Sequence, residues 1–272
     1  MTPQRVGPLG AGDLGPLANA TSTEFVGRIA LVTGGAGAAI GSATCKMLAA
    51  RGAAVVVLDE NERRTHATVR SLIEEFGTQV YPLVADIADR QAIDDGLARV
   101  EAELGPIDIL GNSAAINVQG SIFEFRPEDW DRVIEVDLTA PWYLMRKLMP
   151  GMRDRGWGAI VNVTSVAAYI GGGGREGPYS AAKAGLHDLT RAAAIEGGPF
   201  GIRCNAVAPG LVRSKWVDKQ ADRYQHFVDA TPLRRHGEPE DVANTIGFLL
   251  SDQAAHITGQ IINVSGGWYL TP

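Results

Sequence analysis

The chain has 272 residues, 45% of them hydrophobic, with 33 glycines and a formal net charge of −6. This length suits one large domain or two small ones, and the composition suits a buried α/β core rather than a disordered chain. The acidic balance, with no Lys/Arg block, argues against a nucleic-acid surface, and no apolar run approaches the ~18 residues of a membrane span.

Residues 1–24 hold several Gly and Pro and lack the apolar core of a signal peptide, so they are expected to form a flexible arm ahead of a single domain over residues 25–272. From Arg28 onward, short apolar runs alternate with helical patterns. Ile29 to Thr33, Ala54 to Leu58, Val80 to Val84 and Ile107 to Leu110 read as strands, separated by helices at 40–51, 63–76 and 92–104. A long helix is expected from Pro127 to Met149, then a strand at 159–163, a helix from about Tyr179, a strand near 202–207, a helix at 239–250 and a strand at 261–264. Strands that are apolar on both faces and alternate with helices imply a doubly wound, Rossmann-like parallel sheet in one domain. Cys45 and Cys204 lie far apart without metal-ligand spacing and read as reduced, buried residues of a cytoplasmic protein, with no metal site expected.

The first strand-to-helix turn reads Thr33-Gly34-Gly35-Ala36-Gly37-Ala38-Ala39-Ile40-Gly41. Glycines in this position let the backbone approach a pyrophosphate, whose charge is met by amides at the helix start; Gly34, Gly37, Ile40 and Gly41 are the candidate contacts. The second strand ends in Asp59, eighteen residues past Gly41. A carboxylate there accepts both hydroxyls of an adenosine ribose and repels a 2′-phosphate, which favours NAD over NADP; Arg63 and Arg64 weigh the other way.

Further on, the strand at 159–163 runs into Thr164-Ser165, followed by the glycine run 171–174 and by Tyr179 and Lys183 on one helix face. A phenol is a poor acid or base near neutrality, and a neighbouring ammonium favours its ionised form. A strand-end hydroxyl, a phenol and an ammonium brought together form the outline of a proton-transfer site.

Taken together, these motifs resemble the classical short-chain dehydrogenase/reductase family. The resemblance runs from Val26 to about Trp268. It rests on the glycine turn, Asp86, Asn112-Ser113-Ala114-Ala115, Ser165, Tyr179 with Lys183, Asn205 to Gly210, Pro239 to Ala243, Thr258-Gly259-Gln260 and Gly266-Gly267. It implies that Tyr179 is the general acid/base, that Lys183 lowers the Tyr179 pKa and holds the nicotinamide ribose, and that Ser165 positions the substrate oxygen. By the same resemblance Asp86 with Ile87 meets the adenine, Asn112 and Ala114 line the adenosine side, and Pro209, Gly210 and Val212 flank the nicotinamide amide. The implied function is hydride transfer between NAD and a secondary alcohol or ketone. The aromatic lid residues Trp216, Tyr224 and Phe227 suggest an apolar or cyclic substrate. Reduction of a 3-oxoacyl group on a carrier protein or CoA is the alternative, weakened by Ile195 where carrier-protein reductases often have arginine. A non-catalytic NAD-binding regulator and a nucleotide-sugar epimerase are more distant readings.

Two departures from the family pattern carry consequences. The glycine turn is one residue longer, with Ala39 where the second glycine aligns, so Gly37 is the residue left to serve the pyrophosphate. Asp137, in Val136-Asp137-Leu138, stands where the family often has asparagine, and its charge is expected to stabilise Lys183 as ammonium and shift the pH profile. The resemblance also implies a homotetramer built on the helices near 127–149 and 179–196, with the apolar Trp268-Tyr269-Leu270 packing on a neighbouring subunit.

Overall fold

Apolar runs four to eight residues long set the framework in the computed structural model, which describes residues 23–37, 39–219 and 221–270, without the side chains of 215–216 and 221–224. Residues 1–22 of the expected arm lie outside that range. Seven strands, β1 (Ile29–Thr33), β2 (Ala54–Asp59), β3 (Val80–Val84), β4 (Ile109–Asn112), β5 (Gly158–Val163), β6 (Ile202–Pro209) and β7 (Ile261–Val264), form one sheet in the order β3-β2-β1-β4-β5-β6-β7. Every neighbouring pair is parallel, so each connection must cross a face of the sheet.

The crossovers are α1 (Ile40–Ala50), α2 (Glu62–Phe76), α3 (Arg90–Glu103), α4 (Pro127–Ile134) continuing into α5 (Ala140–Arg155), α6 (Ala167–Ile170), α7 (Gly177–Gly197), α8 (Lys215–Asp218), α9 (Ala221–Ala230) and α10 (Pro239–Leu250). Alternation along each strand divides the core between two faces. Ala30, Val32, Val55, Val57 and Val161 pack with α1 and α10, whereas Leu31, Val56, Leu58, Leu110 and Ile160 pack with α3 and α5. Sequence signals fix several helix ends. The Asn61 side chain accepts from the Arg64 N–H and starts α2, Asp89 does the same for α3 through Ala92, and Gly77 at φ 64° ends α2.

Two placements matter for function. The chain builds β1, β2 and β3 outward in one direction and then returns to lay β4 on the other side of β1. That reversal opens a crevice beyond the carboxyl ends of β1 and β4, where ligands of doubly wound sheets bind. Second, the helix expected at 127–149 is not uniform: between α4 and α5, residues Glu135–Thr139 form one widened π turn, closed by the Ala140 N–H on the Glu135 carbonyl. Such a turn inserts one residue into the helical register and re-aims the side chains around it. Asp137 sits at its centre, fully buried.

Candidate active site

The crevice encloses about 890 Å³ and runs from the end of β2 across β1, β4 and β5 to the segment after β6. Its first wall is the glycine turn. Gly34 takes φ 65°, and a side chain there would stand 3.0 Å from the Ala114 Cα. A Cβ on Gly41 would stand 2.3 Å from the Gly34 carbonyl oxygen, so α1 approaches the turn as closely as it does only because Gly41 has no side chain. Thr33 fixes the opposite side: its Oγ1 accepts from the Ser113 and Ala114 N–H groups, each at 2.9 Å, tying the end of β4 to the turn. This clamp is invisible to a motif reading, which sees Thr33 only as the residue before the glycines.

Gly34, Gly37, Ala39, Ile40 and Gly41 all line the crevice, so the longer turn keeps both Gly37 and Ala39 on its wall. Among the described residues no side chain caps the start of α1, which leaves its first amides for an anion. A dinucleotide pyrophosphate fits this turn, and a buried carboxylate at the end of β2 lines the same crevice.

That carboxylate is Asp59, 8% exposed, whose Oδ1 accepts from the Asn61 N–H at 3.0 Å and lies 3.5 Å from Arg64 Nη2. Asp86 and Ile87 line the next part of the crevice. The Asp86 carboxylate is already engaged, by the Ala88 N–H at 3.0 Å and by Arg132 Nη2 at 2.9 Å. Ala114 lines the wall as expected, but Asn112 does not. Strand β4 begins two residues later than its apolar pattern suggests, so Asn112 falls inside it, 2% exposed, and donates through Nδ2 to Asn162 Oδ1 at 2.8 Å. Asn162 passes the chain on to Thr190 Oγ1 at 2.9 Å and so to the Leu186 carbonyl. Asn112 therefore braces β4 against β5 and α7 behind the crevice wall.

At the other end Ser165, Tyr179 and Lys183 meet at the crevice floor. Ser165 follows β5, with its Oγ accepting from the Ala167 N–H at 3.1 Å, and α7 carries Tyr179 and Lys183 beneath it. Lys183 is 2% exposed. Its Nζ donates to the Val163 carbonyl at 3.2 Å, pairs with Asp137 Oδ2 at 3.2 Å and lies 5.4 Å from the centre of the Tyr179 ring. Asp137 Oδ1 accepts from the Ile116 N–H at 2.8 Å, so the carboxylate links the loop after β4 to the lysine.

The electrostatics differ from the simple expectation of an ammonium acting on a phenol. Desolvation, together with the negative charge of Asp137 and a smaller effect of Glu176, pushes Tyr179 above the ordinary phenol range, against the pull of a Ser165 hydrogen bond. Lys183 is not among the groups that shift Tyr179, and its Nζ is paired with the buried carboxylate. Asp137 is itself raised by desolvation, countered by Lys183 and by the Ile116 N–H.

Beside the triad lies a group the sequence does not single out. His187, one helical turn past Lys183, is 5% exposed, and its Nε2 lies 2.9 Å from Thr164 Oγ1. Thr164 donates its own proton to the Val207 carbonyl at 2.9 Å, which leaves its oxygen to accept from a neutral imidazole. Desolvation, helped by the charges of Arg191 and Lys183, lowers His187 from 6.5 to about 4. The unfolded chain therefore binds the proton more tightly: the stability from this group is complete above pH 6.5 and is lost as pH falls toward 4. The expected loss, about 3 kcal/mol for a shift of this size, is read by urea unfolding between pH 7 and pH 4. His187→Gln, which keeps a donor to Thr164, should unfold with a flatter pH dependence, and an unchanged slope would clear His187 of this role.

Over the triad the crevice is walled by Pro209, Gly210, Leu211 and Val212 after β6, and by His226, Phe227 and Trp268. The lid aromatics Trp216 and Tyr224 named from the sequence have side chains outside the described residues. Phe227 meets Trp268 edge-on at 5.1 Å, and Tyr269 stacks on Tyr169 at 4.7 Å. Two of the three apolar residues at the chain end thus pack on their own subunit, and Leu270 stays 78% exposed.

With this geometry in place, the likenesses to known proteins are specific. A family model described as enoyl-(acyl carrier protein) reductase matches residues 35–269. The chain is 41% identical to the acetoacetyl-CoA reductase of Rhizobium meliloti over 244 residues, 89% of this chain and 98% of that protein. It is 35% identical to the 3-oxoacyl-(acyl-carrier-protein) reductase of Escherichia coli over 248 residues, 91% of this chain and 99% of the relative. Among solved structures, a 3-oxoacyl-(acyl-carrier-protein) reductase with bound NAD from Brucella melitensis superposes with a TM-score of 0.88 at 30% identity, covering 97% of this chain and 99% of the other.

Proposed function

Because the chain belongs to the classical short-chain dehydrogenase/reductase family, we propose that this oxidoreductase reduces the ketone of 3-oxoacyl thioesters. Of the two substrate readings that the sequence left open, the thioester is the better supported, since relatives named as reductases of acetoacetyl-CoA and of 3-oxoacyl carrier protein match along nearly their whole length. Ile195, which spoke against a carrier protein, is 76% exposed on α7, well outside the crevice lining, and carries no weight on the thioester itself.

The observation that carries the reading is the meeting of Ser165, Tyr179 and Lys183 at the floor of a crevice whose other wall is the glycine turn. A phenol held above its ordinary range by burial and by Asp137 stays protonated through neutral pH, which is the form a carbonyl reduction consumes. A bound nicotinamide supplies the hydride. Ser165 Oγ–H holds the ketone oxygen by a hydrogen bond, and Tyr179 gives that oxygen its proton. The phenolate left behind faces Lys183, whose ammonium is fixed in place by Asp137 and the Val163 carbonyl. Gly34, Gly37, Ile40 and Gly41 would hold the pyrophosphate, Asp59 the adenosine ribose, Asp86 and Ile87 the adenine, and Pro209, Gly210 and Val212 the nicotinamide amide. Turnover of acetoacetyl-CoA followed by loss of reduced cofactor tests the reading; oxidation of simple secondary alcohols without any thioester reduction would overturn it.

Within the same reading NADH is the preferred donor. The Asp59 carboxylate lies at the crevice wall and repels a 2′-phosphate, while Arg64 beside it is half exposed and already paired with that carboxylate. Fluorescence titration of the wild type is expected to give NADH at least about tenfold tighter than NADPH, the size of one charge-assisted hydrogen bond. Asp59→Ala frees Arg64 and should erase the preference. Equal preference in the two proteins would remove Asp59 from the selectivity. A homotetramer completes the reading, supported by apolar Trp142 and Ile195 standing exposed on α5 and α7.

A further inference from the structure

The substrate end of the crevice holds a charge that neither the fold nor the proton chemistry uses. Arg175 follows the glycine run and lines the crevice with Gly172, Gly173 and Ile170. Among the described residues no carboxylate pairs with its guanidinium. This sets it apart from Arg64 and Arg132, the other arginines lining the crevice, which pair with Asp59 and Asp86.

The backbone around Arg175 is built to hold it there. All four glycines from 171 to 174 have positive φ, between 59° and 78°. A Cβ on Gly172 would stand 2.5 Å from the Glu176 Cβ and 2.6 Å from Ser180 Oγ, so this left-handed turn lies against α7 only as glycine. The Arg175 carbonyl accepts from the Gly120 N–H at 2.9 Å, which ties the turn to the loop after β4. Glu176, the neighbouring acid, is held toward the loop after β4, its Oε1 accepting from Asn117 Nδ2 and Gln119 Nε2, each at 2.9 Å. The other acids of the crevice, Asp59, Glu60 and Asp86, belong to the ends of β2 and β3, across β1 and β4 from the triad.

From this exposed cation without an ion-pair partner, on a turn tied to the loop after β4 and lining the crevice beside the triad, we infer that Arg175 selects substrates carrying an anionic group beyond the reacting ketone. The inference rests on the thioester reading. Its ligand chemistry is a phosphate, such as those of a CoA or phosphopantetheine arm, or a carboxylate. A guanidinium matches either with paired N–H donors.

The experiment compares wild type, Arg175→Met and Arg175→Lys on acetoacetyl-CoA, on the uncharged N-acetylcysteamine thioester of the same acyl group, and on free acetoacetate. For acetoacetyl-CoA, Arg175→Met should raise KM by about tenfold or more, the size of a lost charge-assisted hydrogen bond, with kcat unchanged. The uncharged thioester should be unaffected, and Arg175→Lys should recover part of the loss. A loss confined to acetoacetate would make the recognised group a carboxylate. Equal losses on charged and uncharged thioesters, or no loss on either anionic substrate, would overturn the assignment. If the wild type reduces none of the three, the thioester reading itself falls. Calorimetric titration of coenzyme A, with NADH present, then decides Arg175 alone: weaker binding to Arg175→Met supports it, and equal affinity overturns it.

Discussion

Tyr179→Phe is expected to lower kcat for thioester reduction by about 10²–10⁴-fold, the range that a positioned proton donor contributes. Phenylalanine keeps the ring that lies beside Lys183 Nζ and removes only the proton and the hydrogen bond to Ser165. The Lys183 contacts to Asp137 and Val163 do not pass through the phenol, so the floor of the site should stay in place. NADH affinity by fluorescence titration should therefore stay within about twofold of wild type, since no group proposed to hold the adenosine or pyrophosphate is touched. Parallel loss of turnover and of NADH binding would mean that the tyrosine is structural. Unimpaired turnover would place the proton donor elsewhere. Ser165→Ala, by contrast, removes a hydrogen bond to the substrate oxygen while leaving the proton donor, so its loss should be the smaller of the two.

The architecture was legible because its signals are periodic and local. Valine and alanine runs of the kind seen in β2 cannot be satisfied on a solvent-facing sheet, and the strand boundaries at 29–33, 80–84 and 261–264 coincide with those of the structure. Ser165, Tyr179 and Lys183 were legible for the same reason, since a strand end and an i, i+4 pair fix their proximity without knowledge of the rest. Where long-range contacts decide, the sequence was silent or misleading. The apolar pattern placed β4 too early, because Gly111 and Asn112 do not look like strand residues. The family resemblance placed Asn112 on the adenosine side of the crevice, whereas its hydrogen bond to Asn162, fifty positions away, turns it into the core. The π turn at 135–139 has no compositional mark; the Asp137 at its centre is engaged by Lys183 and by the Ile116 N–H, both distant in sequence. Most consequential was the phenol. Spacing alone sets an ammonium against it, whereas the folded chain sets a carboxylate against the ammonium.

That carboxylate–ammonium pair gives the second large effect. Both groups are buried, Asp137 fully and Lys183 to 2% exposure, so each is tolerable only because of the other. Lys183→Met is expected to destabilise the fold by about 3–5 kcal/mol near neutral pH, the usual consequence of stranding one partner of a buried pair. Desolvation already raises Asp137, and without the lysine it takes up a proton more readily still. A carboxyl raised in the folded state contributes stability that is present at low pH and lost as pH rises through its folded pKa, so the Lys183→Met defect should shrink on acidification. Adding Asp137→Asn, which removes the stranded charge and keeps an acceptor for the Ile116 N–H, should restore most of the loss at neutral pH. A double variant as unstable as Lys183→Met would show that the lysine stem, not the charge, holds the site together. Asp137→Asn alone carries the kinetic half of the argument. With the carboxylate gone, one of the causes that raise Tyr179 is removed and the ammonium beside it loses its partner, so the phenol ionises at lower pH, though desolvation and Glu176 still act on it. In the alcohol-oxidising direction, where the phenolate is the active form, the rising limb of the pH–rate curve should move toward neutrality. In the reducing direction the enzyme should lose activity from its alkaline side. Profiles that overlay the wild type in both directions would confine Asp137 to a structural role.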